Sequence, residues 1–421
     1  MKLSKYNYTL YDEEWGYWCN VLTLSYFRLN SSLSRKLEDA LEDIENIDYL
    51  PKTIYDKLVE GGFVIEDNSD ELEKVREYNQ RAVEDKNYMM IVLPTLNCNY
   101  KCWYCIQDHV PSLMSESTMD KLKRHIDRMV DVEKIESLRI DWFGGEPLMY
   151  FDKVVVPISE YAIAKCEEAG IPFMNSATTN GYFLNDKVIK ELKHLKFTGF
   201  QITLDGERES HNKVKFIKGC DSTFDHVLHN IDAALSHCPE LSMNLRINYT
   251  HSNLTPEIIE EVNTHISEAN RKRVTVAPHK VWQEDVDKEF DINPYMDGFA
   301  KSGYNVSRWN PVSNFIPCYV SKKFYNAINP DGKIVKCTAC DDIYGENAYG
   351  TLKEDGTIEV TTDKNYQARS FENERCLACK QLPLCMGLCP RDHLNGCTHC
   401  KEEVVDSTFE QRLLNFLKSN Y

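Results

Sequence analysis

Between residues 86 and about 280 the chain alternates six times between short apolar runs and longer stretches with apolar spacing of three and four. The runs at 88–94, 138–143, 173–178, 199–204, 244–250 and 273–277 read as strands. Amphipathic helical stretches near 116–130, 152–169, 186–195, 222–236 and 255–268 lie between them. Repeated βα units bury both faces of their strands in a parallel sheet flanked by helices, so the expected class is α/β, with the sheet curled into a partial (β/α)6 barrel. Chemistry in such folds sits beyond the carboxyl ends of the strands.

The first strand runs straight into Leu96-Asn97-Cys98-Asn99-Tyr100-Lys101-Cys102-Trp103-Tyr104-Cys105, a C-x3-C-x2-C triplet. Three thiolates this close can hold three corners of a cubane iron–sulfur cluster, whereas an electron-transfer cluster normally takes four cysteines. The fourth iron is then open to a substrate. Spacing and neighbours resemble the radical SAM superfamily, whose members chelate S-adenosylmethionine at that iron. The resemblance implies a radical SAM barrel over 86–309, a [4Fe-4S] cluster on Cys98, Cys102 and Cys105, and reductive cleavage of S-adenosylmethionine to a 5′-deoxyadenosyl radical. It also implies a low-potential electron donor such as a flavodoxin or ferredoxin. Three unrelated thiols or a zinc site are the bland alternative.

The later strand ends carry further polar residues. Trp142-Phe143-Gly144-Gly145-Glu146-Pro147 follows the second strand; its glycines permit close backbone approach, and Glu146 can accept from an ammonium group. Next to the triplet it matches the family segment that binds the methionine amino group. Thr178-Thr179-Asn180-Gly181 and Thr203-Leu204-Asp205-Gly206 end the third and fourth strands and match positions around the nucleoside and sulfonium. As local readings, all four polar residues (Thr179, Asn180, Thr203 and Asp205) are equally turn caps. Tyr104 is the triplet residue expected against the cofactor. Arg246, on the fifth strand, is costly to bury unpaired; the S-adenosylmethionine carboxylate or an internal salt bridge would each explain it. His211-Asn212 followed by Lys215 resembles the family's "HD-x-x-R" segment but departs from it twice.

Residues 310–421 are dense in cysteine. Cys318, Gly332 and Cys337, then Cys376-x2-Cys379-x5-Cys385-x3-Cys389, then Cys397 and Cys400, resemble the SPASM domain. The resemblance implies two auxiliary [4Fe-4S] clusters, one on Cys318, Cys337 and Cys389, the other on Cys376, Cys379, Cys385 and either Cys397 or Cys400. Cys340 either closes the first of these or leaves an iron open. Three C-x-x-C pairs also suit zinc ribbons. Cys19, Cys166, Cys220 and Cys238 fall outside every pattern and read as buried or inert.

Residues 1–85 read as a small unit of their own. Strands are expected within 15–24, helices at 34–44 and 54–60, a stop at Gly61-Gly62, a strand at 63–65 and a charged helix over 70–84. This order resembles the winged-helix-like, PqqD-type recognition domain that binds leader peptides in peptide-modifying enzymes.

Composition limits the partners. No apolar run approaches the ~18 residues of a membrane span, and the amino terminus lacks an apolar signal core. A cytoplasmic protein is expected, with thiols serving metal or catalysis rather than disulfides. A formal charge of −17 argues against nucleic acid. The family resemblance implies an enzyme that oxidatively modifies a ribosomally made precursor peptide with a leader, crosslinking it through C–S, C–C or C–O bonds. The alternatives are an anaerobic sulfatase-maturase-like enzyme forming formylglycine, and a non-catalytic iron–sulfur or zinc-binding protein.

Overall fold

A computed structural model describes residues 1–284, 290–311, 317–339, 344–345, 347–367, 369–387, 389–397, 400 and 408–421. The chain packs as two compact units. One comprises Met1–Asp85, Trp309–Lys323 and Asn365–Tyr421; the other comprises Lys86–Arg308 and Phe324–Lys364.

In the first unit, β1 (Lys2–Leu3) will pair with a later strand, and β2 (Asn7–Tyr11), β3 (Trp15–Asn20) and β4 (Ser25–Asn30) form an antiparallel meander. The Asn30 side chain caps α1 (Ser31–Leu41) by accepting from the Leu33 amide. After α2 (Lys52–Glu60) comes β5 (Val64–Ile65), which pairs antiparallel with β1, and then α3 (Glu71–Glu84), capped by Asp70. Trp18 stacks on Phe27 with ring centroids 5.7 Å apart, over Leu37, Leu58 and Phe63. The opposite face of the meander buries Tyr6, Tyr8 and Cys19 with Leu384, Met386, Leu413 and Leu417. Residues 1–85 thus share a core with the last segment of the chain, including its terminal helix Phe409–Ser419.

The second unit is built on one sheet. Strands β6 (Asn87–Val92), β7 (Ser137–Trp142), β8 (Phe173–Thr179), β9 (Phe197–Leu204), β10 (Ser242–Tyr249) and β11 (Val274–Lys280) lie side by side in chain order, all parallel. The short β12 (Asn305–Val306) extends that edge. On the other edge β13 (Tyr325–Ile328) runs parallel to β6, followed antiparallel by β14 (Lys333–Val335), β15 (Gly350–Leu352) and β16 (Ile358–Val360). The order ends at β12 and β16 rather than closing.

Helices α4 (Glu116–Asp131), α5 (Val156–Ala169), α6 (Asp186–Glu191), α7 (Arg208–Val214), α8 (Thr223–His237) and α9 (Glu257–Asn263) occupy the crossovers. All but α7 lie where apolar spacing places helices. Val92, Leu138, Ile140, Trp142, Ile202 and Leu245 are fully buried in the core these layers share. At about 1.5–3 kcal/mol for each large apolar side chain, this core sets the strand ends firmly. Strands β13–β16, which sequence groups with the cysteine-rich region, extend this sheet. Among the described residues no helix is long and apolar enough to cross a membrane.

Candidate active site

The cysteine loop leaves the carboxyl end of β6, as its position after an apolar run requires. Thr95 anchors its start: the hydroxyl donates to the Ser112 carbonyl (2.5 Å) and accepts from the Asn97 amide (2.9 Å). The Ser112 hydroxyl accepts from the Leu96 amide at 2.8 Å. Cys98 accepts at its sulfur from the Tyr100 amide (3.5 Å), and the Cys105 amide donates to the Cys102 carbonyl (3.0 Å). Nε2 of His109 lies 3.3 Å from the Cys105 sulfur. Burial pushes the Cys98 thiol up to about 12 and raises those of Cys102 and Cys105, the last two opposed by the Lys215 charge. Among the described residues, no three His, Cys, Asp or Glu side chains gather as ligands of a single metal ion.

The loop after β7 packs against the cysteine loop backbone to backbone. The Gly145 amide donates to the Thr95 carbonyl (3.1 Å) and the Glu146 amide to the Asn97 carbonyl (2.9 Å). A Cβ on Gly145 would stand 2.0 Å from that Asn97 oxygen, and one on Gly144, whose φ is +122°, 2.3 Å from the Thr95 oxygen. The close approach these glycines serve is therefore between two loops of the protein itself.

Glu146 is fully buried. Its carboxylate accepts from the Leu148 amide (3.0 Å), the Thr179 hydroxyl (2.7 Å) and the Asn180 amide (2.8 Å), tying the β7 and β8 ends together. Burial pushes its carboxyl up to about 7 against those bonds. One lone-pair site on its Oε2 is left for a further donor. Asn180 reaches the cysteine loop, donating to the Asn99 side chain at 2.8 Å with the Cys98 sulfur 3.8 Å away.

At the ends of β9 and β10 a second polar cluster meets Tyr104. The tyrosine hydroxyl donates to Asp205 Oδ1 at 2.5 Å, and Lys215 forms an ion pair with Asp205 Oδ2 while also donating to the Thr203 carbonyl (3.2 Å). Asp205 and Lys215 are 1% and 3% exposed, so water shares little in this pair. Burial pulls the ammonium down most, yet the charges of Asp205, Tyr104 and Cys102 together hold it above its usual range. The Asp205 amide donates to His211 Nδ1 at 3.2 Å, which leaves the proton of the neutral ring on Nε2. Asn248 donates to Asp205 Oδ1 (3.4 Å) and accepts from Arg246 Nε (2.8 Å). No carboxylate among the described residues lies within ion-pair distance of Arg246, so the internal salt bridge that sequence offered for it is not formed.

The expected residues around the cysteine triplet therefore come together on the strand ends of the second unit: Tyr104, Gly144, Gly145, Glu146, Thr179, Asn180, Thr203, Asp205 and Arg246. Lys215 and Asn248 were not assigned a role by sequence. The departures at 211–215 hid the lysine, and a β-strand asparagine carries no signal of its own. Of the later cysteines, Cys337 belongs to the second unit, and Cys318, Cys376, Cys379, Cys385, Cys389, Cys397 and Cys400 to the first; Cys340 lies outside the described residues. Cys379 and Cys400 stand near enough to Cys376 that, after burial, their negative charges raise its thiol further.

The site is thus a three-cysteine loop beyond one strand of an open, mostly parallel α/β sheet, with buried polar groups on the next four strand ends. Residues 92–266 match the Radical SAM superfamily. The radical SAM cyclopropyl synthase TigE of Paramaledivibacter caminithermalis is 22% identical over 397 residues, covering 85% of this chain and 80% of its own. The Fe-coproporphyrin III synthase of Methanosarcina barkeri is 29% identical over 168 residues, 40% of this chain and 38% of its own. Among solved structures, anSMEcpe with bound AdoMet superimposes with a TM-score of 0.54 at 18% identity, covering 79% of this chain and 96% of that one. The same protein with AdoMet and the Cp18Cys peptide gives 0.53 at 18% identity, over 78% and 96%. The structural likeness is one of fold.

Proposed function

We propose that this enzyme oxidatively modifies a ribosomally made precursor peptide, holding a [4Fe-4S] cluster on Cys98, Cys102 and Cys105 and S-adenosylmethionine on the strand ends around it. The observation that carries the reading is the meeting of that loop with Glu146, Asn180, Asp205 and Arg246 inside the segment that matches the superfamily. The donor set fits a cluster: three thiols on one loop, those of Cys98 and Cys102 half-buried and that of Cys105 exposed, which a metal would deprotonate, beside the buried Asn99 amide nitrogen and Tyr100 hydroxyl that have no hydrogen-bond partner among the described residues. When bound and reduced, cluster and S-adenosylmethionine together supply a 5′-deoxyadenosyl radical able to take a hydrogen atom from an unactivated carbon.

The chain's own groups bind and orient. Glu146 offers its remaining lone pair to an ammonium, and Arg246 offers guanidinium N–H groups to a carboxylate. Tyr104, fixed by Asp205, holds the segment between Cys102 and Cys105. Burial of Glu146, Asp205 and Lys215 keeps the floor of the site dry, so reactive species there meet fewer quenchers.

Peptide substrates are supported by anSMEcpe having been solved with one in this fold; leader recognition by residues 1–85 belongs to the same proposal. Auxiliary clusters on Cys318, Cys337 and Cys389 and on Cys376, Cys379, Cys385 and Cys400 belong to the same proposal, with a flavodoxin or ferredoxin as donor and the cytoplasm as location. The test is co-expression with a short peptide encoded beside this protein, followed by mass spectrometry. A peptide lacking two hydrogens, with the lesion located by fragmentation, is the expected result; an unmodified peptide alongside active S-adenosylmethionine cleavage would overturn the substrate assignment.

A further inference from the structure

The second polar cluster contains one carboxylate, Asp205, and two cations, Lys215 and Arg246, the first of which is ion-paired with it. Asp205 is linked to both cations, directly to Lys215 and through the Asn248 amide to Arg246. Asn248 can satisfy both neighbours in one orientation only, its oxygen toward Arg246 Nε and its nitrogen toward Asp205. Asp205 already accepts from Tyr104, Asn248 and Lys215. Arg246 sits beside Thr203 in register across β9 and β10, half-buried, and among the described residues only its Nε has a hydrogen-bond partner.

From this geometry we infer that Lys215 is the resident counter-ion of Asp205, and that by satisfying this carboxylate it leaves the Arg246 guanidinium available to an anionic ligand. The physical reason is the low polarity of the cluster. A buried carboxylate stripped of its partner is left as an uncompensated charge, and Arg246 stands one bridging amide away from it. Recruitment of this arginine would turn the fork toward Asp205 and close the anion site without removing a single atom of it. Burial depresses the Arg246 guanidinium while the charges of Tyr104 and Asp205 oppose this, which fits an arginine standing close to, yet not paired with, that carboxylate. Lys215 is thus a positioning residue: it acts on the ligand through Asp205 and Arg246.

The inference rests on the proposed seat of the S-adenosylmethionine carboxylate at Arg246, and the experiment separates the two. Binding of S-adenosylmethionine to anaerobically reconstituted protein is measured by titration calorimetry for Arg246→Leu, Lys215→Met, Lys215→Arg and the double variant Lys215→Met with Asp205→Asn. Loss of one charge-assisted contact weakens binding about tenfold to a hundredfold, and this is expected for both Arg246→Leu and Lys215→Met. Lys215→Arg, which restores the cation, recovers binding to within about threefold of the parent. The double variant, in which the unpaired carboxylate is gone, recovers most of what Lys215→Met loses. If Arg246→Leu binds as the parent does, the seat at Arg246 is wrong. If Arg246→Leu loses binding but Lys215→Met does not, the counter-ion role is wrong. A double variant as weak as Lys215→Met also overturns it; should Lys215→Met not fold, a double variant that binds close to the parent supports the role and one as weak as Arg246→Leu overturns it.

Discussion

Replacing Gly145 by alanine tests how the cysteine loop is held. The added Cβ would stand 2.0 Å from the Asn97 carbonyl oxygen and 2.6 Å from that of Leu96, whereas Cβ atoms essentially never lie under 3.0 Å from such neighbours. Both obstacles are backbone, so one loop must retreat by about 1 Å in a region packed to near-crystalline density. The retreat strains the bonds from the Gly145 amide to Thr95 (3.1 Å) and from the Glu146 amide to Asn97 (2.9 Å). Two hydrogen bonds at about 0.5–1.5 kcal/mol each and overpacking at about 1–3 kcal/mol give a cost of about 2–6 kcal/mol. Gly170→Ala is the matched control: its φ of +69° strains an alanine, but nothing lies within 4 Å of the new Cβ. That change costs about 1–2 kcal/mol and leaves the loop untouched. Stability is read by urea unfolding and loop integrity by iron retained after anaerobic reconstitution. The account predicts a large loss of both for Gly145→Ala and undiminished iron for Gly170→Ala. Parental stability and iron content in Gly145→Ala would refute the reasoning.

Other consequences follow from single groups. Tyr104→Phe removes the 2.5 Å bond to Asp205; a stability loss of about 1–2 kcal/mol is expected, and an unchanged unfolding curve would contradict that. Because the folded Glu146 carboxyl titrates near 7, above its unfolded value of 4.5, the folded state holds its proton longer. Its contribution to stability is therefore fully present below about pH 4.5 and declines toward about pH 7, by up to about 3 kcal/mol. Glu146→Gln should flatten that part of the stability–pH profile. Cys400→Ala should lower the iron content of the purified protein, while Cys397→Ala should leave it closer to the parent; the reverse order would move the last ligand to Cys397.

The site was legible in sequence wherever chemistry and strand order coincide. Six apolar runs located six parallel strands, and the cysteine triplet, Glu146 and Asp205 followed because each directly succeeds one of them. What lay hidden depends on contacts between segments. The glycines of the β7 loop read as room for a ligand, but the atoms they admit are the Thr95 and Asn97 carbonyls, about fifty residues earlier. Lys215 stands where the family pattern has arginine and after a helix that apolar spacing does not announce, so its pairing with Asp205 emerged only from geometry. The short strands β13–β16 stand amid cysteines, and only the pairing of β13 with β6 assigns them to the barrel sheet. The long antiparallel meander of residues 1–85 was half visible: the run 15–24 stood out, while β2, half-buried along much of its length, did not.

The central claim is that three thiols on one loop hold a cluster at which S-adenosylmethionine is cleaved. Its most direct measurement is 5′-deoxyadenosine formed under reducing, anaerobic conditions by the reconstituted parent and by the variant with Cys98, Cys102 and Cys105 all changed to alanine. The account predicts product from the parent and none from the variant, which should still retain iron bound elsewhere in the chain. No product from an iron-loaded parent, or equal product from the variant, would contradict it.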